Sequence, residues 1–323
     1  MQVARLHGAG DVRLLTEERP APARDGERLV EVTSVGLCGS DLHWFTEGGI
    51  GDAVLAQPLV LGHEMAGVVR GGPDDGQRVA IDPAIPCGVC EPCRAGHGNL
   101  CPNVVFAGHG ACDGGLRQFL SWPAHRLHPL PDQLSDDDGA LLEPLGVALH
   151  ALDLAHLRAA STVAVVGCGP IGLLLIQLAR RHGATRVLAA EPLPHRMAAA
   201  AKFGAEPASD EAAADVVFEV SGSDAAIDTA LRLAKPGARV VLVGIPDGDR
   251  TTFSAALARR KGLTLVMVRR MGEVYPRAIE LATRGLVELA PLVADVFALS
   301  EVGAALSAAA ARTGLKVVIH PSS

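Results

Sequence analysis

The chain of 323 residues is expected to be an α/β protein in which a region of short strands accompanies a parallel sheet covered by helices. Two textures and one motif carry that expectation. Residues 1–146 are rich in Gly, Pro and short β-branched runs, the pattern of strands joined by tight turns. From about residue 160, β-branched runs alternate with Ala- and Leu-rich helical stretches, the pattern of βαβ units and a parallel sheet. At the first strand-to-helix junction of that second region stands Gly-x-Gly-x-x-Gly.

Taken in order, "RLVEVTSVGLCGSDLH", "LVLGHEMAGVV" and "QRVAID" read as short strands with turns between them. "STVAVVG", "IGLLLIQLARRHGA", "RVLAAE", "RMAAAAKFGA", "ADVVFEVSG", "AAIDTALRLAKPGA" and "RVVLVGI" then alternate strand and helix. After about residue 270, "EVYPRAIELATRG" and "GAALSAAAARTG" read as helices and "LKVVIHPSS" as a closing strand and tail. With 49% hydrophobic and 20% charged residues, a chain of this length can bury a large core and supply two domains. A formal charge of -7 without clustered basic residues argues against a nucleic-acid partner. No apolar run approaches a membrane span, and "MQVARLHGAGDVRLL" lacks the features of a targeting segment, so a cytoplasmic protein with no membrane partner is expected. The low Lys and abundant Ala and Arg suggest a bacterial source with GC-rich DNA.

"CGVCEPCRAGHGNLC", residues 87–101, holds four of the seven cysteines. Cytoplasmic thiols are kept reduced and the count is odd, so Cys87, Cys90, Cys93 and Cys101 read as metal ligands in preference to disulfides. Four thiolates fill a tetrahedral zinc shell and leave no open position, as a structural site requires; the same ligands would also suit an iron–sulfur cluster. His97 inside this lobe reads as a surface residue. Upstream, Cys38 in a Gly-flanked turn and the pair His63 and Glu64 offer a thiol, an imidazole and a carboxylate, a mixed set that leaves room for water or substrate. Singly, each also has an ordinary structural reading: a small buried thiol, a core histidine, a surface acid.

In the second region a β-branched run enters Gly167, Cys168, Gly169, Pro170, Ile171 and Gly172, and an apolar helix follows. Gly167 permits the tight turn, Gly169 lets the backbone approach a pyrophosphate, and Gly172 lets helix pack close to strand, so the helix N-terminus can offer its N–H groups to phosphates. Nineteen residues beyond Gly172 stands Glu191, placed to accept from an adenosine ribose diol and to repel a 2'-phosphate, which reads as NAD in preference to NADP. Arg196, just beyond, could stack on adenine or recruit a phosphate. Cys168 has two readings, an activated thiol at a helix N-terminus or an unreactive one.

Together, "GLCGSDLH", "GHE", the four-cysteine lobe, "EPLGVALHA", "GCGPIG" and "GLKVVI" resemble, in content and order, the zinc-dependent medium-chain dehydrogenases. The resemblance spans nearly the whole chain. It is strongest to the polyol branch, the sorbitol and L-idonate dehydrogenases, through "GSDLHWFTEGGIGD", "PLVLGHE" and "EPLGVALHA". It implies a GroES-like catalytic domain formed by residues 1–146 and 271–323 around an inserted Rossmann domain, 147–270. It also implies two zinc ions per subunit, a structural one in the cysteine lobe and a catalytic one held by Cys38, His63 and Glu64. Glu143 of "EPLG" would bind the catalytic zinc or hold its water. By the same resemblance Ser40 and His43 form a proton relay, though His43 could equally scaffold the turn. Trp44 becomes a wall of the substrate pocket and Arg270, with Arg269 beside it, a substrate-binding arginine; Phe106 lies among the pocket loops. Val220, Ser221, Gly222, Gly244 and Ile245 would line the nicotinamide ribose, or else are plain strand-end turns.

The implied activity is oxidation of a secondary hydroxyl of a polyol or sugar acid, with an amino alcohol, a cyclitol or a simple secondary alcohol as alternative substrates. A non-catalytic protein that binds zinc and nucleotide is the alternative of another class. The family's habit implies a homodimer or homotetramer paired through the Rossmann domain, for which "ARVVLVGI" could supply an edge strand. Two departures stand out: "RGGPDDGQRVAI" is shortened, as a surface turn allows, and the segment 204–216 is shorter than the family's. The second predicts lost peripheral structure in the Rossmann sheet. Cys112 matches no ligand position.

Overall fold

A computed structural model of the protein describes residues 1–21, 26–209, 211–246 and 250–322. The chain separates into two compact units, one made of Met1–Glu143 with Tyr275–Ser323 and the other of Pro144–Val274.

In the first unit the strand Glu27–Gly36 is ten residues long and pairs along both edges. One edge runs antiparallel to Glu64–Arg70, with Gly36 opposite Glu64 and Leu29 opposite Arg70. The other edge is shared: Phe119–Pro123 takes its first half, and Lys316–His320 takes its end, with Val318 opposite Gly36. Arg78–Ile81 and Leu127–Pro129 extend the sheet on one side and Val293–Ala298 on the other. Alternation buries Val30 and Val32, and a register irregularity between Val32 and Ser34 turns Val35 into the same core. Leu6, Leu61, Met65 and Ile319 pack around them.

The stretch read as strand and turn, "RLVEVTSVGLCGSDLH", instead runs from Glu27–Gly36 into a helix, Gly39–Glu47, with Cys38 as its N-cap. Asp41 at the third helical position accepts from the Cys38 N–H at 2.9 Å, which satisfies a donor the turn would otherwise leave open. The expected C-terminal helices are Tyr275–Thr283 and Val302–Ala311, and the closing strand is Lys316–His320.

The second unit is a parallel sheet in the order Glu206–Pro207, Arg186–Ala190, Thr162–Val166, Ala214–Glu219, Ala234–Leu242, Thr264–Met267. Chain order reverses between Thr162–Val166 and Ala214–Glu219, and it is at such a switch point, outside the carboxyl ends of the strands, that open α/β sheets bind ligands. The segment that was expected to edge the sheet, "ARVVLVGI", lies inside it: Ala234–Leu242 pairs on both sides, and the edge is Thr264–Met267. The short segment 204–216 contributes only the two-residue strand Glu206–Pro207 before Ala214–Glu219, with no helix between them among the described residues; Asp210 lies outside those residues.

The helix Asp224–Leu233 covers this sheet with Ile227, Ala230 and Leu231 in one apolar cluster with Val217 and Val240. Leu231 is 0% exposed. Leu231→Ala is expected to destabilise the unit by about 2–5 kcal/mol, because the removed methyl groups leave a cavity that a close-packed sheet–helix layer fills only partly. Urea unfolding followed by circular dichroism reads the loss, and a change below about 1 kcal/mol would show that the layer collapses around the gap.

Candidate functional site

Cys38 and His63 are brought together by one carboxylate. Asp41, 0% exposed, accepts from Cys38 N at 2.9 Å and from Gly62 N at 3.1 Å, so the helix cap and the loop before Glu64–Arg70 share one anchor. Its Oδ1 lies 3.5 Å from His63 Nδ1. The Nε2 of His63 is thereby directed to the other side, where Ser40 Oγ lies at 3.4 Å. Burial opposes a charge on His63, but the Asp41 and Cys38 charges outweigh it and hold the imidazole well above the ordinary histidine range. Such a carboxylate behind a histidine fixes its tautomer and orientation for metal binding.

Glu64 opens its strand opposite Gly36, and the pairing explains the glycine: a Cβ at position 36 would lie 2.2 Å from Glu64 Oε2. Lys316 Nζ donates to both Glu64 oxygens at 2.7 Å and to the Leu37 carbonyl at 3.0 Å. Both side chains are buried, at 4% and 1% exposure. Burial disfavours the ammonium charge, yet Glu64, Cys38 and Glu143 hold the lysine above its ordinary range. Glu143 is itself 4% exposed, and burial pushes its carboxyl up to about 7; His63 and Lys316 pull it down while Glu64 and Asp82 add to the rise.

The thiol of Cys38, a ring nitrogen of His63 and a carboxylate oxygen of Glu64 lie within 4.8 Å of one another. A thiolate, an imidazole and a carboxylate are donors that zinc accepts, and three of them leave the open position that a catalytic site keeps. These residues fit the metal; Glu143 is buried and feels the charges of His63 and Glu64 but is not among the converging donors. Among the described residues the thiols of Cys87, Cys90, Cys93 and Cys101 form a second convergent group. All are free thiols. N–H groups of Val89 and Cys90 pull Cys87 down to about 6. Cys90 is drawn down by the Cys93 N–H, but burial and the neighbouring thiols push it up to about 12. Thiols this close cannot all ionise without a cation among them, which is the property a zinc cage exploits. His97 is exposed and outside the cluster.

His43 Nδ1 lies 2.7 Å from Glu47 Oε1 on the same helix. Trp44, read as a pocket wall, is instead 1% exposed: it packs into the core of the first unit and meets His109 edge-on, with centroids 5.5 Å apart. It falls on the buried side of Gly39–Glu47, with Asp41, so core packing claims it. Phe106 lies beside His63, ring centroids 5.4 Å apart. Arg270 belongs to the second unit and holds φ 53, an uncommon backbone for a long side chain. Arg269 precedes it there. Cys112 is pushed up to about 11 by burial.

In the second unit Gly167 follows Thr162–Val166 at φ +95, and Gly169 caps the helix Pro170–Arg181 with Pro170 in its first turn and Ile171 next. A Cβ at Gly172 would lie 2.0 Å from the Gly167 carbonyl, so only glycine allows this turn and helix to meet. Glu191 accepts from Cys168 N at 2.7 Å and Leu193 N at 2.9 Å, which sets the carboxylate against the glycine turn. The Arg196 guanidinium approaches the same turn, 3.5 Å from where a Gly169 Cβ would be. Helix N–H groups, a glycine turn and an acid beside it fit a dinucleotide. Burial and Glu191 push Cys168 up to about 12, against the lowering that a helix N-terminus favours. Val220, Ser221 and Gly222 follow Ala214–Glu219, and Gly244 and Ile245 follow Ala234–Leu242. Sequence reasoning missed Asp41, Lys316 and Glu219. Asp41 carried a signal, an acid at the third position after a candidate cap; Lys316 carried none, standing 252 residues from Glu64.

The sequence matches the family model of the alcohol dehydrogenase GroES-like domain over residues 24–132 and that of zinc-binding dehydrogenases over residues 170–284. The chain belongs to the zinc-dependent medium-chain alcohol and polyol dehydrogenases, and the fold class read from the sequence is borne out with it. It is 32% identical to the sorbitol dehydrogenase of Bacillus subtilis (strain 168) over 345 aligned residues, 100% of this chain and 98% of that protein. The L-idonate 5-dehydrogenase of Escherichia coli K-12 superposes with a TM-score of 0.92 at 28% identity, covering 99% of this chain and 98% of that one. An Escherichia coli CFT073 protein described as a short chain alcohol dehydrogenase, solved with NADH, superposes with a TM-score of 0.89 at 25% identity over 99% of both chains.

The protein is expected to carry about two zinc ions per chain, and Cys93→Ser and Cys38→Ser each to remove about one. Metal analysis by mass spectrometry checks this; full zinc in either variant would refute that thiol as a ligand. Glu143 supplies a pH prediction. After chelation of the metal, its carboxyl keeps a proton up to about 7 in the folded chain but loses it near its ordinary 4.5 when unfolded. The unfolded state therefore binds fewer protons between those values, and stability falls as pH rises across them. Glu143→Gln is expected to flatten that part of the Tm-against-pH curve, and parallel curves for both proteins would count against it.

Proposed function

We propose that the protein oxidises a secondary hydroxyl of a polyol or sugar acid and delivers the hydride to NAD. The observation that carries the reading is the convergence of Cys38, His63 and Glu64 around one point, backed by Asp41 and Lys316. Sorbitol and L-idonate as the named substrates of similar proteins support the substrate class, and a similar chain solved with NADH supports the cofactor. Glu191 favours NAD over NADP, since its carboxylate would repel a 2'-phosphate.

When bound at Cys38, His63 and Glu64, zinc would supply Lewis acidity that eases loss of a hydroxyl proton, as it lowers the pKa of a bound water to about 7. Bound NAD supplies the hydride acceptor. Ser40, beside His63 Nε2, takes up the departing proton by exchanging its own hydroxyl hydrogen, and His43 stands one helical turn further along. His43 hands it to Glu47, whose side chain is 45% exposed. Glu143, a buried carboxyl that feels the charges of His63 and Glu64, would hold a water near the metal donors. The Gly167 turn and the N-terminus of Pro170–Arg181 hold the diphosphate, and Glu191 the ribose. We assign the first unit the zinc chemistry and the second the nucleotide.

The same proposal makes the protein a cytoplasmic homodimer or homotetramer without nucleic-acid or membrane partners. Free thiols persist in that compartment. The net charge of -7 is unfavourable for a polyanion. Thr264–Met267 leaves one edge of the parallel sheet open, with Met267 65% exposed, as pairing with a second copy would use. No helix among the described residues is long and apolar enough to cross a membrane.

The test is NADH formation across sorbitol, xylitol, L-idonate, cyclitols, amino alcohols and simple secondary alcohols, with NAD and NADP in parallel. Turnover of a polyol or sugar acid with NAD is expected, and Cys38→Ser should lower kcat/KM by roughly 10²–10³-fold, the loss of several kcal/mol of charge stabilisation. A folded, zinc-loaded protein that turns over nothing in the panel would sink the reading in favour of a binding protein without chemistry.

A further inference from the structure

The strand Ala214–Glu219 ends on a carboxylate that the chemistry above does not use. Glu219 is 1% exposed, and among the described residues no cation is paired with it. Burying a carboxylate in this way is costly unless its oxygens are engaged. One is: Oε1 accepts from Ser221 N and from Gly222 N, each at 2.7 Å. The other, Oε2, is fully buried without a hydrogen-bond partner and lies 2.9 Å from where a Cβ at Gly244 would be. The main-chain carbonyl of the same residue accepts from Val243 N at 2.8 Å and Gly244 N at 3.2 Å. One residue therefore ties down the turns that follow two neighbouring strands.

Those turns are packed backbone against backbone. A Cβ at Gly222, where φ is +79, would lie 2.2 Å from the Ile245 carbonyl, and one at Gly244 would lie 2.1 Å from Gly222 N. The glycine turn joins them, since a Cβ at Gly167 would lie 3.1 Å from Ser221 N. These three turns stand at the carboxyl ends of the central strands, where a parallel sheet binds its ligand. Their outer side is accessible: Ser221 is exposed and Ile245 is 46% exposed. The polar centre is on the inner side.

We propose that Glu219 is a positioning residue for the nicotinamide half of the dinucleotide. It does not touch the cofactor. By drawing the Ser221 and Gly222 N–H groups inward and seating its second oxygen against Gly244, it sets the position at which Ser221 and Ile245 meet the ligand. The assignment rests on the reading that a dinucleotide binds at the Gly167 turn. A carboxylate suits this place because it brings only acceptors to a pocket walled by backbone N–H groups. Glu219→Gln keeps the shape and an oxygen at the Oε1 place but removes the charge that strengthens the bonds from Ser221 N and Gly222 N, so both N–H groups are drawn inward less firmly.

The experiment titrates NADH into the zinc-loaded protein, wild type against Glu219→Gln, by fluorescence. The expected result is a rise of about tenfold in the Kd for NADH and in the KM for NAD, with kcat, the alcohol KM and zinc content within about twofold of wild type. Hydrogen exchange at the Ser221 and Gly222 amides should quicken in the cofactor-free protein. Glu219→Asp, which keeps the charge but draws the oxygens back by one methylene from Ser221 N, Gly222 N and Gly244, should raise the Kd in the same way, and it carries the test if Glu219→Gln does not fold. Unchanged NADH affinity in a folded variant overturns the assignment. So does a loss shared equally by kcat, zinc content and Tm, which is what general destabilisation produces. Wild-type protein that binds neither NADH nor NADPH overturns the dinucleotide reading and this assignment together.

Discussion

The ion pair between Lys316 and Glu64 is the contact on which the metal-donor region of the first unit depends. Both groups are nearly without solvent, and the ammonium meets both oxygens of the carboxylate while also capping the Leu37 carbonyl just before Cys38. Either charge alone at this depth would be strongly destabilising, so the pair holds as a unit or not at all. It joins the closing strand to the strand that presents the metal donors, and through Leu37 it reaches the cap of the helix that follows. Tertiary closure and the geometry of the donors are thus one event.

Around that pair the polar groups are layered. Asp41 supports His63 and the two loops beside it, and Glu143 supplies a second buried carboxyl to a cluster that already contains Glu64 and a single ammonium. Such crowding of acids is tolerable where a cation is expected among them, and it explains why the cluster is so heavily anionic for its burial. The cysteine lobe follows the same logic in simpler form, with like groups held too close to ionise together unless a metal is present.

In the second unit the corresponding constraint is backbone proximity. Gly167, Gly172, Gly222 and Gly244 each sit where a Cβ would meet backbone at 3.1 Å or less, so the turns at the carboxyl ends of the strands are packed backbone against backbone. Glu191 and Glu219 then bind backbone N–H groups from opposite ends of that edge, one beside the glycine turn and one beneath the next two. Carboxylates used in this way substitute for side-chain contacts that the glycines cannot make.

The parallel sheet, the glycine turn and the four-cysteine lobe were legible because each is written in local spacing: period-two and helical patterns, three glycines in six positions, four thiols in fifteen. Cys38, His63 and Glu64 were legible as residue types in Gly-flanked turns, and the resemblance to a known family joined them. Trp44 was misplaced because a helix following Cys38 turns it into the core, and helix phase is settled by Asp41 capping, which the strand-like run before it conceals. The edge strand was misjudged because strand order in a parallel sheet depends on how the crossovers pack. Lys316 and Glu219 could not be read at all. By itself the sequence determined the periodic elements, the residue types suited to bind a metal and the glycine turn, all local properties of the chain. Only the tertiary structure decided which buried charge meets which partner, because pairing across 252 residues is set by sheet register and by the cost of leaving a charge alone in the core.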